Sequence, residues 1–224
     1  MNRTYRPIPI GLTMLIALFS ALAALAFSGG HDAQARGSAA HHATPQRQLA
    51  FHDGMRKLWE DHVTWTRLAI ISLTSGSPDT EASVGRLLKN QTDIGNAIKP
   101  FYGKAAGAQL TKLLREHILI AADLIAAAKA GDQSKLAAEQ ARWSANADDL
   151  ARFLANANPR AWKLRAMKAM LRDHLRLTTD EAVARLQGNW AADVVAYDRI
   201  HVQALHMADM VSTGIVKQFP GRFR

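Results

Sequence analysis

A histidine preceded by a carboxylate recurs along the chain, each time within an apolar stripe of helical period. It reads LWEDHVTWT from Leu58, LLREHILIA from Leu113, MLRDHLRLT from Met170 and, more loosely, YDRIHVQALHMAD from Tyr197. Imidazole is the commonest side-chain ligand for transition metals, and helical bundles build interior metal sites from histidines that face inward on several helices. Phase places His62 with Met55, Leu58, Trp59, Thr66, Ala69 and Ile70, and His117 with Leu110, Leu113, Leu114, Ile120, Ala121 and Leu124. His174 shares its stripe with Met167, Met170, Leu171, Leu177 and Thr178. In the last copy His201 fits the stripe Val194, Tyr197, Leu205 and Ala208 better than His206, the alternate fourth member.

The chemistry this suggests is a metal centre drawn from His62, His117, His174, His201, His206 and Asp209. Asp61, Glu116 and Asp173 each precede a histidine by one residue, about 100° round the helix, so neither can share an ion with its own histidine. Together with Asp93, Asp149 and Asp193 they are expected behind the ligands, fixing tautomer and ring orientation. Asp198-x2-His201 and His206-x2-Asp209 have the one-turn spacing that lets two side chains meet. Carboxylate with imidazole suits iron, manganese or zinc, whereas the pairs Met167/Met170 and Met207/Met210 would suit copper(I) if they are not simply core. The competing expectation is a buried hydrogen-bond network, with Asn90/Asp93, Asn146/Asp149 and Asn189/Asp193 satisfying the imidazoles and specifying how helices pair.

Such residues need helices to carry them, and Ala, Leu, Lys and Arg with a period near 3.6 predict an all-α domain. Breaks fall at Ser75–Pro78, Pro100–Gly103, Gly131–Asp132 and Asn156–Pro159. The first three histidines are 55 and 57 residues apart, the mark of a duplicated helical hairpin. His62 is followed by Arg86-x3-Asn90-x2-Asp93 and His117 by Arg142-x3-Asn146-x2-Asp149. After His174 comes Arg185-x3-Asn189-x3-Asp193, which reads as a shortened copy whose two helices run on as one, before a truncated fourth. The expectation is a bundle of five or six helices, its two halves related by a pseudo-twofold axis.

The chain of 224 residues divides into a leader at 1–35, a polar linker at 36–46 and the bundle at 47–224. Arg3 and Arg6 before the apolar run Ile10–Phe27, with Ala33-Gln34-Ala35 behind it, read as a signal peptide, or else as an uncleaved membrane anchor. Either places the domain in the periplasm or facing it, with membrane contact only through the leader. Zero cysteines remove disulfides and thiolate ligands. The net charge of +9 is spread over polar faces without the aromatic interleaving of a nucleic-acid surface. No nucleophile elbow, phosphate loop or His-Glu-x2-His helix is present, so a binding or scaffold protein is expected rather than an enzyme, with metal-dependent catalysis the third class.

The segments LWEDHVTWTRLAIIS, NQTDIGNAIKPFYG, EHILIAADL, ANADDLARFLA and MADMVSTGIVKQFP, covering Leu58 to Phe219, resemble a widespread uncharacterised bacterial family of exported α-helical proteins. Its members often carry enzyme names such as glycosyltransferase or acetylglutamate kinase, which need α/β nucleotide-binding sheets that no motif here supports. The resemblance implies a helical fold and leaves function open.

Overall fold

The computed structural model describes residues 32–224, with side chains from Pro45 onward. The leader run Ile10–Phe27, and the export it implies, lie outside the described residues. Five α-helices follow one another: α1 (Asp32–Ser75), α2 (Thr80–Ala130), α3 (Gln133–Ala157), α4 (Leu164–Leu186) and α5 (Trp190–Gln218), then a short 3-10 turn at Pro220–Phe223. Residues 36–46, read as a linker, are drawn within α1. Among the described residues no helix is long and apolar enough to cross a membrane.

α2 is two rods in one. Gly103, at φ 86° and ψ 169°, breaks it just after Pro100, a conformation that favours glycine. The arms 80–102 and 104–130 fold back on each other: Arg115 Nη1 donates to the Leu88 carbonyl at 3.2 Å. Gly95 and Gly107 face one another so closely that a Cβ on Gly95 would stand 2.7 Å from the Gly107 carbonyl oxygen. Elsewhere the helix ends are set by local chemistry. Gly131 adopts the left-handed stop of α2, and the side chains of Asp132 and Asn189 cap α3 and α5 by accepting from Lys135 N and Ala192 N.

The rods form three consecutive hairpins: α1 with the first arm of α2, the second arm with α3, and α4 with α5. α3 also packs on α4, and α5 on α1, which closes the six rods into a ring. This corrects the expected pseudo-twofold arrangement: three hairpins follow each other cyclically, an approximate threefold. The third copy is not one continuous helix either, because Gly188, at φ 67°, separates α4 from α5. The loose fourth copy, 197–209, is simply the return helix of the third hairpin. Inside the ring sits one main core that includes Met55, Ile94, Leu113, Trp143, Trp162, Leu171 and Ile215. Fully burying each such aliphatic side chain contributes about 1.5–3 kcal/mol.

Candidate functional site

The first helix of every hairpin delivers one histidine to the interior. His62, His117 and His174 are all buried, and the rings of His62 and His117 each lie 6.0 Å, centre to centre, from that of His174. They are three of the few polar side chains in an otherwise apolar stripe, so helical phase alone turns them inward.

Each ring is held on its Nδ1 side by an amide on the return helix of its own hairpin, 29 residues on. His117 Nδ1 lies 2.9 Å from Asn146 Oδ1, while Asn146 Nδ2 donates to the Leu113 carbonyl, four residues before the histidine, at 3.1 Å. His174 repeats this with Gln203: Oε1 at 3.1 Å from Nδ1, and Nε2 donating to the Met170 carbonyl at 3.2 Å. In the first hairpin two residues divide the work. Asn90 Nδ2 donates to the Leu58 carbonyl at 3.0 Å, and Gln91 Nε2 lies 3.1 Å from His62 Nδ1.

Those contacts assign tautomers. An amide oxygen facing Nδ1 makes His117 and His174 donors there, which leaves a bare lone pair on Nε2. His62, facing an amide nitrogen, accepts at Nδ1 and carries its proton on Nε2. None of the three Nε2 atoms has a hydrogen-bond partner among the described residues. Two fully buried atoms beside the rings are without partners there: Gln91 Oε1, and Nε1 of Trp143, whose ring lies 5.2 Å from that of His117.

Burial is the first cause of depressed basicity in all three rings. It lowers His62 to about 3, assisted by repulsion from His174 and His117, and His117 to about 3, assisted by His174. His174 is lowered by burial against the opposing pull of Gln203 and Asp173. The centre is therefore neutral at physiological pH, the form in which imidazole ligates metal. Among the described residues no three His, Asp or Glu side chains already stand in ligating geometry.

The other residues expected at a metal centre are elsewhere. His201 Nε2 meets Glu60 at 2.7 Å near the surface, and His206 is exposed. Asp209 pairs with Arg56 at 3.0 Å. Of the carboxylates expected behind the ligands, Asp61 pairs with Lys57 and Arg86, Glu116 with Lys112 and Asp173 with Arg176; Asp93 pairs with Lys89 and Asp149 with Arg152. Asp193 is buried, but in an ion cluster with Arg67, Arg185 and, through Arg67, Glu181. Of the expected partners only Asn146 contacts a ring as foreseen. Asn90 sits one position early, and Asn189 caps α5 instead. Gln91 and Gln203 were missed, although counting 29 residues from each histidine finds both.

No family model, curated protein or solved structure matches the chain.

Proposed function

We propose that the protein binds one transition-metal ion through Nε2 of His62, His117 and His174, without a carboxylate ligand. The observation that supports this is three buried, neutral rings, two of them each 6.0 Å from the third, whose Nδ1 sides are engaged and whose Nε2 sides are not. Three imidazoles at metal–nitrogen distances of about 2.0–2.1 Å place ring centres about 5.5 Å apart, against 6.0 Å here for the two pairs that include His174. His62 must also shift its proton to Nδ1. Turning the Gln91 amide over would accept it on Oε1, at the cost of the bonds its Nε2 now donates to the Leu87 carbonyl and Asn90 Oδ1. Export through the leader would set this function in the cell envelope.

A scaffold role is the second reading, favoured by the amide-to-carbonyl bonds that join the two helices of every hairpin. Elemental analysis and metal titration of the purified chain separate the two. The expected result is one ion per chain, lost in His117→Ala. No metal retained or taken up by a folded wild type would leave the scaffold reading standing.

A further inference from the structure

We infer that one end of the bundle docks on an anionic phospholipid surface, a contact separate from the metal reading and beyond that expected of the leader. Charge and chain path carry it.

Successive turns of an antiparallel ring fall at alternate ends. The Gly103 bend, the α3–α4 connection, the C-terminal turn and the start of α1 therefore share one end. Arg47 donates there to the Arg224 carbonyl, Tyr102 to Gln218 Oε1 at 2.6 Å, and Gln218 Nε2 to the Ala157 carbonyl at 3.0 Å. The α1–α2, α2–α3 and α4–α5 turns lie at the other. Residues 45–52, 94–107, 153–167 and 210–224, which make up the first end, carry nine Lys and Arg and no Asp or Glu. Residues 73–85, 126–139 and 180–195, around the opposite turns, carry seven Asp and Glu against three Lys and Arg. The pairs Arg56–Asp209 and Lys168–Asp148 border the basic end, and among the described residues none of its nine cations pairs with a carboxylate. Arg47, Lys104, Arg160, Lys163, Lys217 and Arg222 are all exposed. Like charges gathered on one face repel, and an anionic partner relieves that.

Two features favour lipid over other polyanions. α1 enters the bundle at this end, so the chain leads from it back to the apolar run Ile10–Phe27, with 19 residues between Phe27 and Arg47. Behind the cations lie the half-buried rings of Phe51, Phe101, Tyr102 and Phe219, with contacting centres 5.1 to 5.7 Å apart. Amphipathic aromatic rings with lysine and arginine are the chemistry of a membrane–water interface. None of these rings is exposed as a platform on which bases could stack.

The chain has no cysteine, so single substitutions each report one place. Ala161→Cys at the basic end and Ser134→Cys at the other, both at exposed positions, would carry a polarity-sensitive fluorophore. The full chain is reconstituted in vesicles of phosphatidylcholine, alone or in equal parts with phosphatidylglycerol; the neutral vesicles account for the leader. The expected result is a blue shift at Ala161→Cys with phosphatidylglycerol only, lost in roughly 1 M salt, where the screening length is about 3 Å. Ser134→Cys should not respond. Each cation near the surface contributes about fivefold, so Arg160→Gln, Lys163→Gln and Lys217→Gln together should weaken docking on the order of 100-fold and abolish the shift. The same loss of charge at Lys89, Lys135 and Arg176, away from this end, should leave it. A response equal on both vesicles, equal at both ends, or lost equally with either charge set overturns the inference. So does an equal response to duplex DNA without vesicles, which would mark a general polyanion surface. If the triple variant does not fold, the salt dependence decides.

Discussion

Two polar clusters share one apolar core and treat their polar groups in opposite ways. In the ion cluster Arg67 donates to Glu181 at 2.8 Å and doubly to Asp193, which also takes Arg185 at 3.0 Å, and Arg67 lies over the Tyr197 ring. Two cations face two carboxylates and nothing is left over. At the histidine centre there is no charge, and one nitrogen per ring is left over. A closed network marks a structural device, because a ligand could only disrupt it. An open, neutral one is what the proposed metal reading rests on. The carboxylates beside the histidines in sequence fit this contrast: all three turn outward to lysines and arginines, which keeps the centre uncharged.

Acid should strain the centre most. His62 and His117 have folded-state pKa values of about 3, below the ordinary 6.5, so the unfolded chain binds protons that the folded chain refuses. Their contribution is complete above pH 6.5 and falls away as the pH drops from 6.5 toward 3. At pH 4.5, two units below the unfolded value, the loss is about 2.7 kcal/mol for each of these two rings, and His174 adds in the same direction. Glu181 acts oppositely: burial raises its pKa, so its share grows as the pH falls. The clean reading is therefore a difference. Urea unfolding between pH 7.5 and 4.5 with chelator present should show His117→Leu losing less stability than wild type by one proton's slope; parallel curves would mean that His117 is not kept neutral by burial.

Breaking the closed cluster comes next. Arg67→Met strands Glu181 and leaves Asp193 with Arg185 alone, both carboxylate side chains being 1% exposed, and should cost about 3–5 kcal/mol. Metal uptake at the centre should be unchanged in any of this variant that folds. Chemical denaturation at pH 7.5 measures the first and titration the second. A loss of under 1 kcal/mol would mean that the ion cluster is not closed in solution.

The contrast between the clusters was only half legible in the sequence. Inward phase for His62, His117 and His174 follows from apolar neighbours at helical spacing, and the breaks at Gly103 and Gly131 follow from residue type. What misled was the Arg-x3-Asn-x2-Asp echo. It falls one residue off the ring-contacting position in the first hairpin and on a turn at 185–193, so the third hairpin was assigned the wrong register and the symmetry the wrong order. Gln203 carries no local signal, since a glutamine on a half-buried face looks like any solvated residue. Asp193 reads as a residue behind the histidines until Arg67, 126 residues away, is brought against it. Long-range pairing of that kind is set by how the rods close into a ring, which no local period encodes.

If a metal binds, removing one ring should have a signature that a structural role does not. With free metal at 100 times its dissociation constant, the ion adds roughly 2.7 kcal/mol to wild type. Chelator should lower the wild-type Tm and leave His117→Ala unmoved. If His117 only completes a hydrogen bond, stranding Asn146 costs about 1–3 kcal/mol and chelator changes neither protein. Scanning calorimetry of both, with and without chelator, decides.

The smallest effect tests where the centre ends. Asp209 and His206 have the one-turn spacing of a ligand pair, yet Asp209 lies against Arg56 with both side chains close to half exposed, at 40% and 45%, and His206 is exposed. An ion pair so well solvated contributes about 0–1 kcal/mol. Asp209→Asn should therefore shift stability by no more than that amount and leave metal stoichiometry and affinity as in wild type. Isothermal titration of the variant beside His174→Gln measures both ends of the scale. A tenfold loss of affinity in Asp209→Asn would move the ligand set toward α5 and break the division between a closed, charged periphery and an open, neutral centre.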